Sequence, residues 1–340
     1  MIPGVTIRDV ARQAGVGLGT VSRVINNSPY VSEKTRQRVN QVIKDLNYTP
    51  SPIAQRLSLR KTLTIATMAP FFTRPSVIER LRGVESTLAE SEYDLIIFNV
   101  ETVDKRDRLF RELIRRERVD GILILSLTPR QEDIQILADA EIPIVIIDAM
   151  HPSLSFINRV IVDDVEGGYK ATRHLIDLGH RKIGYISDRL DNPFNFTSSR
   201  DRYIGYRQAL EDACIEFTEE YHRQETHGRY EARELASQML ELPEPPTAFF
   251  AASDTQAIGV LESARNKGLS VPGDVSIIGY DDIEVAEYLD LTTIRQLLFE
   301  SGQLGVELLL EALARPGIEP ICKTLPTELI IRQTTARLKS

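Results

Sequence analysis

The sequence predicts a chain in two parts: an all-α head carrying a helix-turn-helix, then an α/β body of two lobes built on parallel sheets. Three observations lead there. Residues 6–26 (TIRDVARQAGVGLGTVSRVIN) hold two apolar stripes at helical spacing on either side of a glycine. Residues 1–61 carry ten Lys/Arg against three Asp/Glu, a net of +7, in a 340-residue chain whose formal charge is −8. After them, strand-length apolar runs alternate with helical ones almost to the end.

Ile7, Val10, Ala11 and Ala14 fall at i, i+3, i+4 and i+7, one face of a first helix. Thr6 and Asp9 form a capping pair at its start, and Gly15 frees the backbone for a turn. Val21, Val24 and Ile25 make the next apolar face, leaving Leu18, Gly19, Thr20, Ser22 and Arg23 outside or at the helix start. Val39, Val42, Ile43 and Leu46 make a third stripe behind Ser32, an expected N-cap. Val16, Val24, Val31 and Leu46 are expected to close the small core. A helix-turn-helix lays its second helix in the DNA major groove. A basic head on a body of net −15 suits a partner rich in phosphate. The competing reading is a helical cap on an enzyme.

Residues 47–52 (NYTPSP) contain two prolines and read as extended. Residues 53–59 (IAQRLSL) give about two helical turns with Ile53, Ala54 and Leu57 on one face, too short to stand alone. This stretch is either a plain linker or a hinge helix that folds on DNA beside its twin.

In the body, strands are expected at 63–69, 93–99, 119–126, 143–148, 182–187, 247–252 and 275–280. Helices are expected at 76–91, 104–117, 130–140, 165–178, 201–213, 229–241, 254–267 and 299–314. Such alternation implies parallel sheets covered on both faces, and there are too many strands for one small sheet. Ligands then sit beyond the carboxyl ends of the strands. Asp148, Ser253, Asp254 and Asp281 follow strands, and Arg202 begins a helix. Carboxylates and a guanidinium suit sugar hydroxyls or a planar polar ring. Each Asp also reads as a helix cap, Asp254 first among them. Phe194 and Phe196 precede Arg202 and either stack on a ligand or pack down.

No Ser/His/Asp triad, phosphate-binding loop or zinc spacing is recognisable, so neither catalysis nor a cofactor or metal is expected. Cys214 and Cys322 read as buried thiols of a reducing compartment. No apolar run approaches the roughly 18 residues of a membrane span, and no leader precedes the capped helix. A cytoplasmic protein without a membrane partner is expected.

TIRDVARQAGVGLGTVSRVINN, VSEKTRQRV and LNYTPSPIAQRL closely resemble the headpiece and hinge of the LacI/GalR family of bacterial transcription regulators. VDGILIL (119–125), DDVEGGYKATRHLIDLGHRKIGYI (163–186), FFAASDTQAIGVLESARNKGLSVPGDVSIIGYDD (249–282) and LTTIRQ (291–296) extend the resemblance through the body. It implies a periplasmic-binding-protein-like body of two Rossmann-like subdomains, crossed by the chain near 160–163, 288–294 and 318–323. The implied domains are a headpiece, 1–49; a hinge, 50–61; a first subdomain, 62–161 with 291–320; and a second, 162–290 with 321–340. The implied protein is a homodimeric repressor on palindromic double-stranded operator DNA, controlled by a small molecule, a sugar by family habit. No heptad tail follows Arg332, which favours a dimer over a tetramer.

By the same resemblance Leu18, Gly19 and Arg23 face base edges. Thr6, Ile7, Gly17, Thr20, Ser22, Asn26, Ser32, Thr35 and Tyr48 touch phosphates or flank bases, and Ala54 and Leu57 reach the minor groove, Leu57 as a wedge. Gly17 and Gly19 depart from the family, where many members carry a capping Ser and a polar base reader. Direct readout then rests on Arg23 and Leu18. The implied effector contacts are Asp148, Arg202, Ser253, Asp254, Asp281 and Gln296. Two other readings stay open: a regulator of this fold answering to a protein partner, and a solute-binding protein, which would carry a leader and lack the basic head.

Overall fold

The computed structural model describes residues 5–49, 61–113 and 118–339. Ala54 and Leu57, with the rest of the expected hinge helix, lie outside the described residues. The chain divides into two compact units, residues 1–63 and 64–340.

The first unit packs three helices, α1 (Ile7–Ala14), α2 (Leu18–Ile25) and α3 (Glu33–Asp45). The Thr6 backbone N–H donates to Asp9 Oδ2 at 3.0 Å, closing the expected capping box. Gly15 sits at φ 64°, the left-handed conformation that ends α1. Gly17 is the N-cap of α2 and offers no side-chain cap, whereas Ser32 Oγ accepts from Thr35 N at the start of α3. Val10, Ala11, Ala14, Val21, Val24, Val39 and Val42 are buried together, with Val16, Val31, Leu46 and Tyr48 around them.

The second unit begins with β1 (Thr64–Pro70), α4 (Pro75–Leu88), β2 (Asp94–Val100), α5 (Val103–Glu112), β3 (Gly121–Leu125), α6 (Gln131–Ala138), β4 (Ile144–Ile147) and β5 (Asn158–Val162). It continues with α7 (Asp164–Asp177), β6 (Ile183–Asp188), α8 (Ser198–Asp212), β7 (His222–Glu225), α9 (Arg229–Leu240), β8 (Ala248–Ala251), α10 (Asp254–Asn266), β9 (Ser276–Ile278) and α11 (Glu284–Tyr288). β10 (Thr293–Arg295), α12 (Leu298–Ala314), β11 (Cys322–Leu325) and β12 (Glu328–Ile330) complete it.

Two parallel sheets result, ordered β11-β5-β4-β3-β1-β2 and β7-β6-β8-β9. In the first lobe α4 and α12 cover one sheet face, and α5 and α6 cover the other. In the second lobe α7 and α8 oppose α9 and α10. Strand order reverses beside β1 and beside β6, the switch points at which open α/β sheets bind ligands.

The lobe boundaries differ from the expected ones. Thr292 and Arg295 bridge to Ile278 and Asp281, so residues 291–296 belong with the second lobe. Residues 322–325 pair with β5 in the first. The chain returns to the first lobe only at α12, because β10 takes β12 as its antiparallel partner. Cys214 and Cys322 are exposed, not buried. Cys322 opens an edge strand, and Cys214 takes the left-handed turn after α8. Among the described residues no helix is long and apolar enough to cross a membrane.

Candidate functional site

A cleft of about 560 Å³, part of it open to solvent, lies between the lobes of the second unit. Strand ends build it. Phe71, Ser126 and Asp148 follow β1, β3 and β4 with φ of 43°, 53° and 60°; Asp281, after β9, has φ 118°. These are sparsely populated conformations for residues with a Cβ, and they turn the chain sharply at the strand ends.

From the first lobe, Arg80 on α4 is 2% exposed and fans its guanidinium over several partners. It lies 2.9 Å from Asp148 Oδ2. It donates to Ser126 Oγ at 3.3 Å, Gln296 Oε1 at 2.8 Å and Ser301 Oγ at 3.3 Å. Gln296, in the segment between β10 and α12, passes the connection on: its Nε2 donates to Asp281. Asp281 lies 3.6 Å from Arg202 Nη1. Arg202 on α8 donates to Asp164 Oδ1 at 2.8 Å and to the Ala252 carbonyl at 2.5 Å, and stacks 3.7 Å over the Tyr280 ring. A continuous polar chain thus runs from Asp148 to Asp164 through both lobes.

Burial dominates its titration. It raises Asp164 to about 6 against the pull of Arg202, and it raises Asp281 against Arg202 and Arg80. Burial alone would lower Arg202, but Asp164, Tyr280 and Asp281 hold its pKa well above the usual guanidinium value. On the far side, Asp188 Oδ1 accepts from His227 Nδ1 and Gln256 Nε2, both at 3.0 Å. Burial works to raise Asp188, yet His227, Arg74 and Arg202 together hold it below the ordinary carboxylate value.

Of the six expected effector residues, Asp148, Arg202, Ser253, Asp281 and Gln296 line this cleft. Asp254 does not. It is completely buried, accepting from Thr293 Oγ1 at 2.6 Å and from Ile283 N at 3.0 Å, so it braces the 281–283 turn from behind. Burial and Asp281 raise its pKa well above the ordinary value. The N-cap of α10 is Ser253, not Asp254. Sequence reasoning missed Arg74, Ser126, Asp188, His227 and Gln256. Asp188 ends an apolar strand, the same signal that marked Asp148.

The two phenylalanines part ways. Phe196 lines the cleft, whereas Phe194 is buried in the first-lobe core, edge-on to Phe71 at 5.3 Å between centroids. The loop before α8 therefore straps the second lobe onto the first. Arg106 of α5 also donates to the Pro193 carbonyl at 3.5 Å. Phe194→Ala is expected to cost about 2 kcal/mol, read as a lower urea midpoint; an unchanged midpoint would show that the strap bears no load.

On the head, Gly17 at the N-cap of α2 and Leu18, Gly19 and Arg23 on α2 are exposed, and Arg23 has no ion-pair partner among the described residues. Thr20, Ser22, Asn26, Thr35 and Tyr48 are half-buried, and Thr6 and Ser32 are exposed. Ile7 turns its side chain toward the core, leaving its backbone as the group it can offer outward.

Residues 6–51 match the family described as bacterial regulatory proteins, lacI family, and residues 172–335 match a periplasmic binding protein-like domain. The chain is 36% identical to the HTH-type transcriptional repressor PurR of Vibrio atlanticus (strain LGP32), over 98% of this chain and 99% of that protein. It is also 36% identical to the ribose operon repressor of Haemophilus influenzae, again over 98% and 99%. Among solved structures, a lac repressor dimer bound to operator and the anti-inducer ONPF superposes with a TM-score of 0.85 at 28% identity, covering 98% of this chain and all of that one.

Proposed function

The chain belongs to the LacI family of DNA-binding transcriptional regulators, which are not enzymes, and from that premise we propose a homodimeric cytoplasmic repressor of a palindromic operator, controlled by a sugar bound in the cleft. The effector contacts are Asp148, Arg202, Ser253, Asp281 and Gln296, with Ser126, Asp188, His227 and Gln256. Alternating carboxylates, amides and cations along this cleft match the paired donors and acceptors of a monosaccharide. The observation that carries the effector reading is the polar chain from Asp148 to Asp164, which joins both lobes through the residues a ligand would meet. A ligand that inserts into that chain favours one lobe arrangement over the other, the condition for shifting operator affinity.

On DNA, α2 enters the major groove with Leu18, Gly19 and Arg23 toward the bases. Thr6, Gly17, Thr20, Ser22, Asn26, Ser32, Thr35 and Tyr48 set register on phosphates and flanking bases, with Ile7 contributing through its backbone. Gly17 leaves the first N–H groups of α2 without a side-chain cap, open to a phosphate. Ala54 and Leu57 meet the minor groove at the centre of the palindrome. The edge strand β2 leaves Ile96 and Ile97 exposed, 44% and 42%, on opposite sides of the sheet edge, an apolar edge for a second copy.

Gel shifts on upstream genomic fragments test this. Binding is expected to be operator-selective, to weaken steeply with salt and to change when a sugar is added. Arg23→Ala should lose about 1–3 kcal/mol of discrimination while keeping nonspecific affinity. Full selectivity in that variant would remove Arg23 from readout, and operator binding insensitive to every sugar tested would favour control by a protein partner.

A further inference from the structure

One cation in the cleft has no hydrogen-bonded or ion-paired anion among the described residues, although the field of Asp188 reaches it. Arg80 meets Asp148, Arg202 meets Asp164 and Asp281, and Asp188 meets His227 and Gln256. Arg74, the N-cap of α4, lines the same cleft half-buried, with its guanidinium 4.2 Å over the Phe71 ring. Among the described residues no carboxylate or carbonyl bonds to it. Burial pulls its pKa down, and Asp188, whose field partly offsets this, is already bonded elsewhere. A desolvated cation without an anion is costly, and guanidinium is the group best shaped to receive one.

The surroundings repeat the signal. Ser76 lies in the first turn of α4, and Ser198 and Ser199 in the first turn of α8, from the opposite lobe. Neither helix has a side-chain cap, and all three serines line the cleft. Ser199 is only 7% exposed, yet its hydroxyl has no partner among the described residues. Serine hydroxyls that open two helices into the same cleft as a guanidinium with no bonded anion among the described residues are an anion-binding set. Phe196 bounds the same space.

We propose that the effector is a polyol bearing an anionic group, a phosphate or a carboxylate, held between Arg74 and the serines that open α4 and α8. Its hydroxyls meet Asp148, Asp281, Gln256 and Gln296. This rests on the effector reading above.

The test is calorimetry on the full chain with ribose, glucose, ribose-5-phosphate, glucose-6-phosphate, gluconate and inorganic phosphate, repeated with Arg74→Gln and read in parallel as operator affinity. A phosphorylated or carboxylated member is expected to bind at least about tenfold tighter than its neutral parent. Arg74→Gln should erase that advantage, weakening the anionic member at least about tenfold more than its neutral parent. The phosphate and gluconate arms separate the two anions. A neutral sugar binding as tightly as its anionic counterpart, with Arg74→Gln changing neither, overturns the anion while leaving effector control intact. No binding by any member, with operator affinity unmoved, overturns the effector reading and this inference with it.

Discussion

Arg202→Met is expected to destabilise the body by about 3–5 kcal/mol and to abolish the response of operator affinity to effector. Methionine preserves much of the aliphatic stem but none of the charge. Arg202 is 5% exposed, bonded to Asp164 and the Ala252 carbonyl, and lies 3.6 Å from Asp281. Its removal strands two buried carboxyls that burial already raises, Asp164 to about 6. A carboxyl whose folded pKa stands above its unfolded value loses stability as pH rises through the folded pKa. With the pull of Arg202 gone both carboxyls rise further, Asp164 above about 6, so the variant should be weakest at and above neutral pH and recover as pH falls toward the unfolded value near 3.8. Urea midpoints between pH 7 and pH 4.5 measure this. A loss under about 1 kcal/mol with no dependence on pH would mean that the chain of charges contributes little.

Gly302→Leu is expected to cost about 3 kcal/mol or more, or to prevent folding. α4 and α12 cross backbone to backbone through two glycines. A Cβ on Gly302 would lie 2.1 Å from the Arg80 carbonyl oxygen, and one on Gly83 would lie 1.9 Å from that of Phe299. These neighbours are main chain and cannot rotate away, so the helices must separate. Separation would carry Arg74 and Arg80 off the cleft, since both sit on α4 or at its start. Thermal unfolding and effector binding together test it; a wild-type melting curve would show that the crossing has slack. By contrast, a Cβ on Gly19 meets nothing within 4 Å, as suits an exposed position on α2.

Much of this protein is legible without coordinates because its signals are short-ranged. The capping box of Thr6 and Asp9, the turn at Gly15 and the apolar stripes of the head depend on residues a few positions apart. So do the long apolar strands and the helices between them. The strands that escaped notice, β5, β7, β10, β11 and β12, run only three to five residues each. β7 (HRQE) and β11 (CKTL) are edge strands, held through their backbones with largely exposed side chains, so no apolar run marks them.

The site was legible where a polar residue closes an apolar strand, as at Asp148 and Asp281. It was not legible on α4, where Arg74 and Arg80 read as ordinary polar residues of an amphipathic helix. Their burial comes from the other lobe and from residues such as Gln296, 216 positions away from Arg80. Asp254 shows the opposite error: a carboxylate at a strand end that turns into the wall to hold Thr293 and Ile283.

The helix-turn-helix, the basic head on an acidic body, the alternation of strands and helices, and the family can all be read from the order of residues alone. Each is set by local spacing, by composition or by motifs contiguous in the chain. Which charges neutralise one another, which lobe owns residues 291–296 and 322–325, and that Arg74 has no bonded anion among the described residues emerge only from the folded chain. Those outcomes depend on distances between strand ends that meet because the chain crosses between lobes, and electrostatic compensation in a partly desolvated cleft is a matter of ångströms rather than of order along the chain.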